Sequence, residues 1–421
     1  MKSAKILYPW FVWGLGALFY ALEYVARVFP SIVKTQLMSN FRIDATLFGI
    51  LSISFSIPYI ILQIPAGTFT DVFSIKKVLT FMAALCGIGC FVFAHAKLFS
   101  VACVGRFMMG FGGAFAFVGT LKLATIWFSP KRLGLLAGLT QSIGMLGAAM
   151  GEIVMSILVG HIGWQASIRS IGYGLLVLAI LIFFIVTKNK STNQYTRRDY
   201  NQMHTSLLTL KRVLKSRQAW INALYVGLLF VPIGTVGELW GVSYMNRVHH
   251  LSIEEAASVS SMIFFGWIFG GPIWGWVSDR FNRRKPIMIG SAFFSLSWIS
   301  LALYLPNTNE FTLSLLLFMY GFTNTGVSVG YAVAGEMFSK AVSGTSMAFA
   351  NMATVILAWS LQPVIGYILD LQWQGKFYHG ARIYSPHNYK LAMLVVPVSL
   401  LLSLIVSFFI KETLTDKISE S

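Results

Sequence analysis

The sequence predicts an all-α integral membrane protein of twelve transmembrane helices, organised as two halves of six. Three observations predict it. The 421 residues are 56% hydrophobic and 11% charged, with a mean hydropathy of +0.70, whereas soluble domains carry about 25% charged residues. Apolar runs long enough to cross ~30 Å of hydrocarbon, roughly 20 helical residues each, recur along the whole chain. Lys and Arg gather in alternate connections between those runs. A soluble enzyme, a nucleic-acid binder and a disordered scaffold are excluded, and the alternating ~10-residue segments of a membrane β-barrel do not occur.

The first run covers 9–35, too long for the apolar region of a signal peptide and without a small-residue cleavage site. The next five are 46–70, 77–96, 99–127, 132–160 and 168–187. Only Ala96 and Lys97 separate the third from the fourth. The second six are 218–245, 255–277, 285–305, 311–335, 341–369 and 390–411. Between the sets lies the one long polar segment, so the chain divides into a first half at 1–187, a linker at 188–217 and a second half at 218–421. The linker ends with Leu207, Leu210, Val213 and Leu214 at helical spacing beside Lys211, Arg212, Lys215 and Arg217. That pattern suits either an amphipathic helix on an anionic leaflet or a solvated basic connection. Cys86, Cys90 and Cys103 all fall in apolar runs and read as small core residues rather than a disulfide or metal framework.

Charge placement sets the orientation. With both termini cytoplasmic, 21 of the 32 Lys and Arg residues fall inside, 8 outside and 3 within spans. The net charge of +17 is then mostly a topology signal and requires no nucleic acid. The chain is expected in the plasma (inner) membrane as a multi-pass protein.

The halves repeat. Gly67 and Asp71 follow the second span, and Gly275 and Asp279 follow the eighth, 208 residues later. Each pair is trailed by bases, Lys76 and Lys77 in one, Arg280, Arg283, Arg284 and Lys285 in the other. Gly134, Gly138 and Gln141 open the fifth span as Gly344, Ala348 and Asn351 open the eleventh, offset by 210.

On these residues the sequence resembles the major facilitator superfamily over essentially its whole length. The loop signature G-x-x-x-D-R-x-G-R-[RK] is recognisable from Gly275 to Arg284, with Asn282 in place of a glycine, and degraded after the second span, where Val72 replaces the base. The pattern R-x-x-x-G-x-G appears as Arg106, Gly110 and Gly112. The resemblance implies two six-helix bundles around a central cavity that opens to alternate sides. It also implies gating contacts by Asp71, Lys76, Asp279, Arg280 and Arg283, and an Arg106 turned toward the cavity or hydrogen-bonded to a neighbouring helix.

Ionisable residues inside spans default to functional hypotheses. Glu23 and Arg27 stand one turn apart on one helical face, with Tyr20, Tyr24 and Ser31 nearby and Pro30 loosening the backbone. Either the pair neutralises itself or Arg27 grips an anionic group while Glu23 tunes it. Lys122 reads equally as a cavity or an interface residue. Glu152 lies on a glycine-rich helix, and Glu238 among Gly234, Gly237 and Gly241. Glu336, at the end of the tenth span, is expected to bond a loop base. Tyr59, Gln63, Gln141, Trp267, Tyr320, Asn324, Asn351 and Gln362 are candidates for reading the ligand. All seven histidines sit at span ends or in loops, so Glu23, Glu152 and Glu238 are the candidate proton carriers.

The expected function is secondary active transport of a small polar solute, carboxylate-bearing or zwitterionic, by a monomer without a cofactor. Proton-coupled uptake is the first reading and multidrug or metabolite efflux by proton antiport the alternative. The fifth-span glycine run lacks the proline of the family's antiporter motif, which weighs against efflux. An enzyme is disfavoured, since no Walker loop, nucleophile elbow or metal spacing appears.

Overall fold

The computed structural model describes residues 2–129, 132–187, 210–281, 283–378 and 380–413. The six spans of the first half are Lys2–Ile32, Ala45–Val72, Ile75–Ala94, Phe99–Trp127 and, within the helical stretch Leu133–Ile185, two more. At ~1.5 Å per residue that last stretch is far too long for one crossing. It breaks at Gly163, whose φ of 77° is left-handed. The chain then returns. Leu136 packs with Trp13 near the start of span one, and Tyr8 reaches the carbonyl of Ile185 at 2.8 Å. The second half holds Arg217–Val248, Ile253–Phe281, Lys285–Tyr304, Glu310–Glu336, Lys340–Leu371 and Pro386–Ser407. The described residues therefore begin and end on one face, called the chain-end face; the opposite one is called the far face below.

Twelve crossings match the number read from the sequence, and the break at Ala96 and Lys97 falls where it was expected. Span one ends earlier than 35. It stops at Ile32, and a separate short helix, Lys34–Phe41, follows on the far face. Lys34, one of the eight bases that charge placement puts outside, is buried. Of the linker, 188–209 lies outside the described residues, while 210–215 is helical. Its Val213 packs with Ala219, Ala223, Val342 and Phe349 of the second bundle, while Leu214 stays exposed. The connection before the last span holds a two-residue hairpin, Phe377–Tyr378 against Ala381–Arg382.

The repeat extends into packing. Gly110 of span four lies so close to span two that a Cβ would fall on the carbonyl of Phe55, and Gly321 of span ten meets Ile263 of span eight in the same way. Both helices of that related pair then break at equivalent places, around Ala114 in span four and Thr325 in span ten. Small residues permit these approaches, since without a side chain two backbones pack directly. Between the bundles the far half is sealed along spans two and eleven: Gly49 lies against Pro363, and Gly366 against Ala45.

Candidate functional site

Two backbone irregularities build the site. Pro30 lacks an N–H, so the carbonyl of Ala26, one turn back, loses its helical donor. Arg106 from span four fills that gap, giving Nη1 to the Ala26 carbonyl at 2.7 Å and Nη2 to that of Arg27 at 3.3 Å. In span seven, Ile233–Trp240 winds as a π-helix immediately after Pro232. Such wide turns often mark functional positions, and this one carries Glu238.

Arg27 occupies the space between them. Its Nη2 and Nε reach Glu23 Oε1 at 2.5 and 3.0 Å, and its Nη1 stands 3.6 Å from Glu238 Oε1, across the bundle boundary. Glu23 lies over Gly113, where a Cβ would come within 2.6 Å of its side chain. Glu238 in turn accepts the indole N–H of Trp359 at 2.6 Å. Four rings enclose the guanidinium: Tyr24, Tyr59, Trp359 and Phe55, with centroids 4.2, 4.9, 5.3 and 5.5 Å from Cζ. Each such contact is worth ~0.5–2 kcal/mol, more as the pair is desolvated, and the site is buried: Glu23 is fully so and Arg27 is 6% exposed. The 3.6 Å gap to Glu238 is too long for a hydrogen bond. Nη1 is thus the guanidinium nitrogen set in a long ion pair rather than a short hydrogen bond to a carboxylate.

A polar thread leads from this cage toward the chain-end face. Tyr20 donates to Gln141 at 3.3 Å, and its hydroxyl lies 3.5 Å from that of Tyr24. Gln141 and Trp267 line a cavity of about 460 Å³ between spans five and eight, one from each bundle. The structure therefore gathers Tyr20, Glu23, Tyr24, Arg27, Tyr59, Gln141 and Glu238 into one neighbourhood.

Other candidates lie elsewhere. Arg106 points at the backbone of span one, the helix-bonding option of its two readings. Asn324 donates to the Leu229 carbonyl at 2.8 Å and accepts from Trp267 at 3.3 Å. Asn351 accepts from Tyr331 at 2.9 Å. Gln362 donates to the Gly234 carbonyl in the π-helix at 2.6 Å, and the buried side chain of Tyr320 lies in the main apolar core. Glu152 is fully buried with Ser31 Oγ at 3.3 Å and no ion pair among the described residues.

Among the gating candidates, Glu336 pairs with the loop base Arg284 at 2.8 Å and accepts from Thr413 at 2.6 Å. Arg280 sits over Trp276, Arg283 borders a groove with Glu412, and Lys76 lies over Phe183. The side chains of Asp71 and Asp279 lie outside the described set. Sequence reasoning missed Trp359, Phe55, Lys34 and Asp370. Phe55 and Trp359 carry no charge to flag them, and Lys34 and Asp370 sit where a span end looks like a loop.

The assignment of Arg106 as the partner of Pro30 has a testable consequence. Arg106→Met should lower the thermal unfolding temperature of the purified protein, because one unsatisfied buried carbonyl costs about 1–3 kcal/mol. Pro30→Ala restores a helical donor to Ala26, so adding it should recover part of the loss. If the two losses simply add, the assignment is wrong.

The family model described as Major Facilitator Superfamily matches residues 13–363 and 239–420, and the chain belongs to that superfamily. It is 22% identical to the probable galactarate/D-glucarate transporter GarP of Escherichia coli, over 93% of this chain and 91% of that one. It is 23% identical to the probable sulfoacetate transporter SauU of Cupriavidus necator, over 64% of this chain and 65% of that one. Among solved structures, an inward-facing, unoccupied bacterial homolog of the human lysosomal transporter Spinster superposes with a TM-score of 0.77 at 13% identity, covering 96% and 97% of the two chains. A D-xylose-proton symporter superposes with a TM-score of 0.73 at 17% identity, covering 97% and 98%. The chain is a multi-pass membrane transporter, not an enzyme.

Proposed function

We propose that this major facilitator superfamily transporter carries a small organic anion, bearing a carboxylate or sulfonate, together with a proton into the cytoplasm. The observation that carries the reading is Arg27, a caged guanidinium set between carboxylates from both bundles, with Nη1 standing 3.6 Å from Glu238. Guanidinium recognises planar and tetrahedral oxyanions through paired N–H groups. The charged relatives agree in kind, since sulfoacetate, galactarate and glucarate are all anions. The chain ends are assigned to the cytoplasm by the excess of bases on their side, and the membrane to the plasma (inner) membrane.

Glu238 is the internal counter-anion. An entering oxyanion takes Nη1, and Glu238 is left beside Trp359 without its cation. An uncompensated buried charge is expensive, so anion entry at Arg27 favours arrival of a proton at a nearby carboxyl. Glu152 is the proton carrier on the far side. It is buried without a cation, and its partner Ser31 lines the far-face cavity, which gives it a route to the outside.

Purified protein in liposomes, tested against labelled glucarate, sulfoacetate, xylose and a lipophilic cation with and without an inside-alkaline gradient, tests the reading. Concentrative uptake of an anion, driven by the gradient, is expected. Glu152→Gln should still exchange internal for external anion but no longer concentrate it. Accumulation of the lipophilic cation alone, or undiminished accumulation in the variant, would sink the respective parts of the proposal.

A further inference from the structure

A second basic site lies outside the cage. On the far face, above the seal between spans two and eleven, is a cavity of about 570 Å³. Its walls include Lys34, Arg247 and Arg382, with Ser243, Asn246 and Tyr389 among the uncharged polar groups, and among the described residues no carboxylate lines it. Arg382 is spoken for by Asp370 at 3.2 Å and Asp44 at 3.8 Å. Lys34 and Arg247 make no ion pair among the described residues.

Lys34 is the unusual member. It is 7% exposed, and among the described residues its ammonium is held by a hydrogen bond to the Tyr389 hydroxyl and by three rings, Trp240, Tyr384 and Tyr389, at 5.4, 5.1 and 4.9 Å. An ammonium has three donors, and one hydroxyl uses one. Rings and a hydroxyl offset only part of the cost of burying a charge. A buried cation that faces a cavity lined by further bases and no acids is completed by an anion from outside.

We infer that this cavity is an outer binding site for a small oxyanion, carboxylate or sulfonate, with Lys34 as its principal ligand and Arg247 as its second charge. Lys34 belongs to the first bundle, while its rings come from the second. An anion on Lys34 therefore competes with a contact that holds the bundles together, so occupancy of the outer site loosens the far-face closure.

The test is ¹⁹F NMR of the full protein in nanodiscs, with 5-fluorotryptophan at every Trp and the Trp240 resonance assigned by its loss in Trp240→Phe. Sulfate and malonate are titrated against chloride at equal ionic strength. The Trp240 resonance is expected to shift saturably with sulfate and malonate and not with chloride. Lys34→Met should abolish the shift, and Arg247→Gln should raise the half-saturation concentration several-fold. The Glu23→Gln, Arg27→Gln double variant, altered only at the central cage, should keep it. An equal response to chloride, an unchanged titration in Arg247→Gln, a shift persisting in folded Lys34→Met, or its loss in the double variant would each overturn the site. If Lys34→Met does not fold, the Arg247→Gln and double-variant titrations decide alone.

Discussion

The Glu23→Gln, Arg27→Gln double variant should reach the membrane, elute as a folded monodisperse species, and bind anion about 10- to 100-fold more weakly than the parent. The expected size follows from Nη1. A hydrogen bond to a charged group is worth about 1.5–3 kcal/mol, and 1.4 kcal/mol is tenfold in affinity. The expectation of folding follows from the pair's geometry. Glu23 and Arg27 neutralise each other at 2.5 Å in a fully buried site. Removing both charges leaves only Glu238, which keeps its bond to Trp359 and can be neutralised by a proton.

Arg27→Gln alone is a different experiment. It strands Glu23 and Glu238 together without a cation, and breaking one side of a buried pair costs about 3–5 kcal/mol. It should therefore express poorly, and its loss of transport would say little about binding. Arg27→Lys should fold and recover only part of the affinity, because an ammonium cannot fill the positions of Nε, Nη1 and Nη2 at once. Equilibrium binding of glucarate and sulfoacetate to detergent-purified protein measures all four proteins on one scale. Parental affinity in the double variant would reduce the pair to a structural neutralisation and remove Arg27 from the ligand site.

How much of this was visible beforehand divides along physical lines. Twelve crossings and the internal repeat follow from hydropathy and spacing, because a bilayer imposes a length on each helix and repeated contacts demand repeated glycines. The charged centre was visible too: a bilayer tolerates few ionisable groups, so Glu23, Arg27 and Glu238 stand out in any reading. What they touch was not. Nothing in the spacing says that Glu238 comes within 3.6 Å of Arg27, since that pairing depends on how the halves dock. The Ala26 carbonyl freed by Pro30 explains why Arg106 serves the backbone, yet proline at 30 does not say which helix supplies the donor. Trp359 and Phe55 look like any other aromatic residues in apolar runs. Lys34 was hidden by the assumption that a charge at a span end is in water.

Asp370 was hidden for the same reason, and its removal should unlatch the far face. It ends span eleven and caps span two of the other bundle, accepting from the Thr46 amide at 2.8 Å, the Thr46 hydroxyl at 2.6 Å and the Ala45 amide at 3.3 Å. Carboxylates are favoured at helix N-termini, where free N–H groups and the helix dipole meet them. Here that interaction spans the bundle boundary and so belongs to one conformation. The same carboxylate accepts from Tyr384 at 2.5 Å and pairs with Arg382, holding the hairpin loop over the closure. Span two keeps its own cap, Asp44 on the Leu47 amide at 2.9 Å, so Asp370→Ala should leave the helix intact and weaken only the latch. Losing charge-assisted bonds worth about 1.5–3 kcal/mol in sum shifts a two-state population at least ~10-fold toward the far-open state. Spin labels at Asn40 and Gln374, both exposed on that face and on opposite bundles, report it as a second, longer distance in pulsed dipolar spectra. That distance should be minor in the parent and dominant in Asp370→Ala, with Asp370→Asn between them because its amide oxygen still accepts from Thr46. A parental distance distribution in Asp370→Ala would mean that the close approach of Gly49 and Gly366 to span partners Pro363 and Ala45 holds the far face shut without the carboxylate.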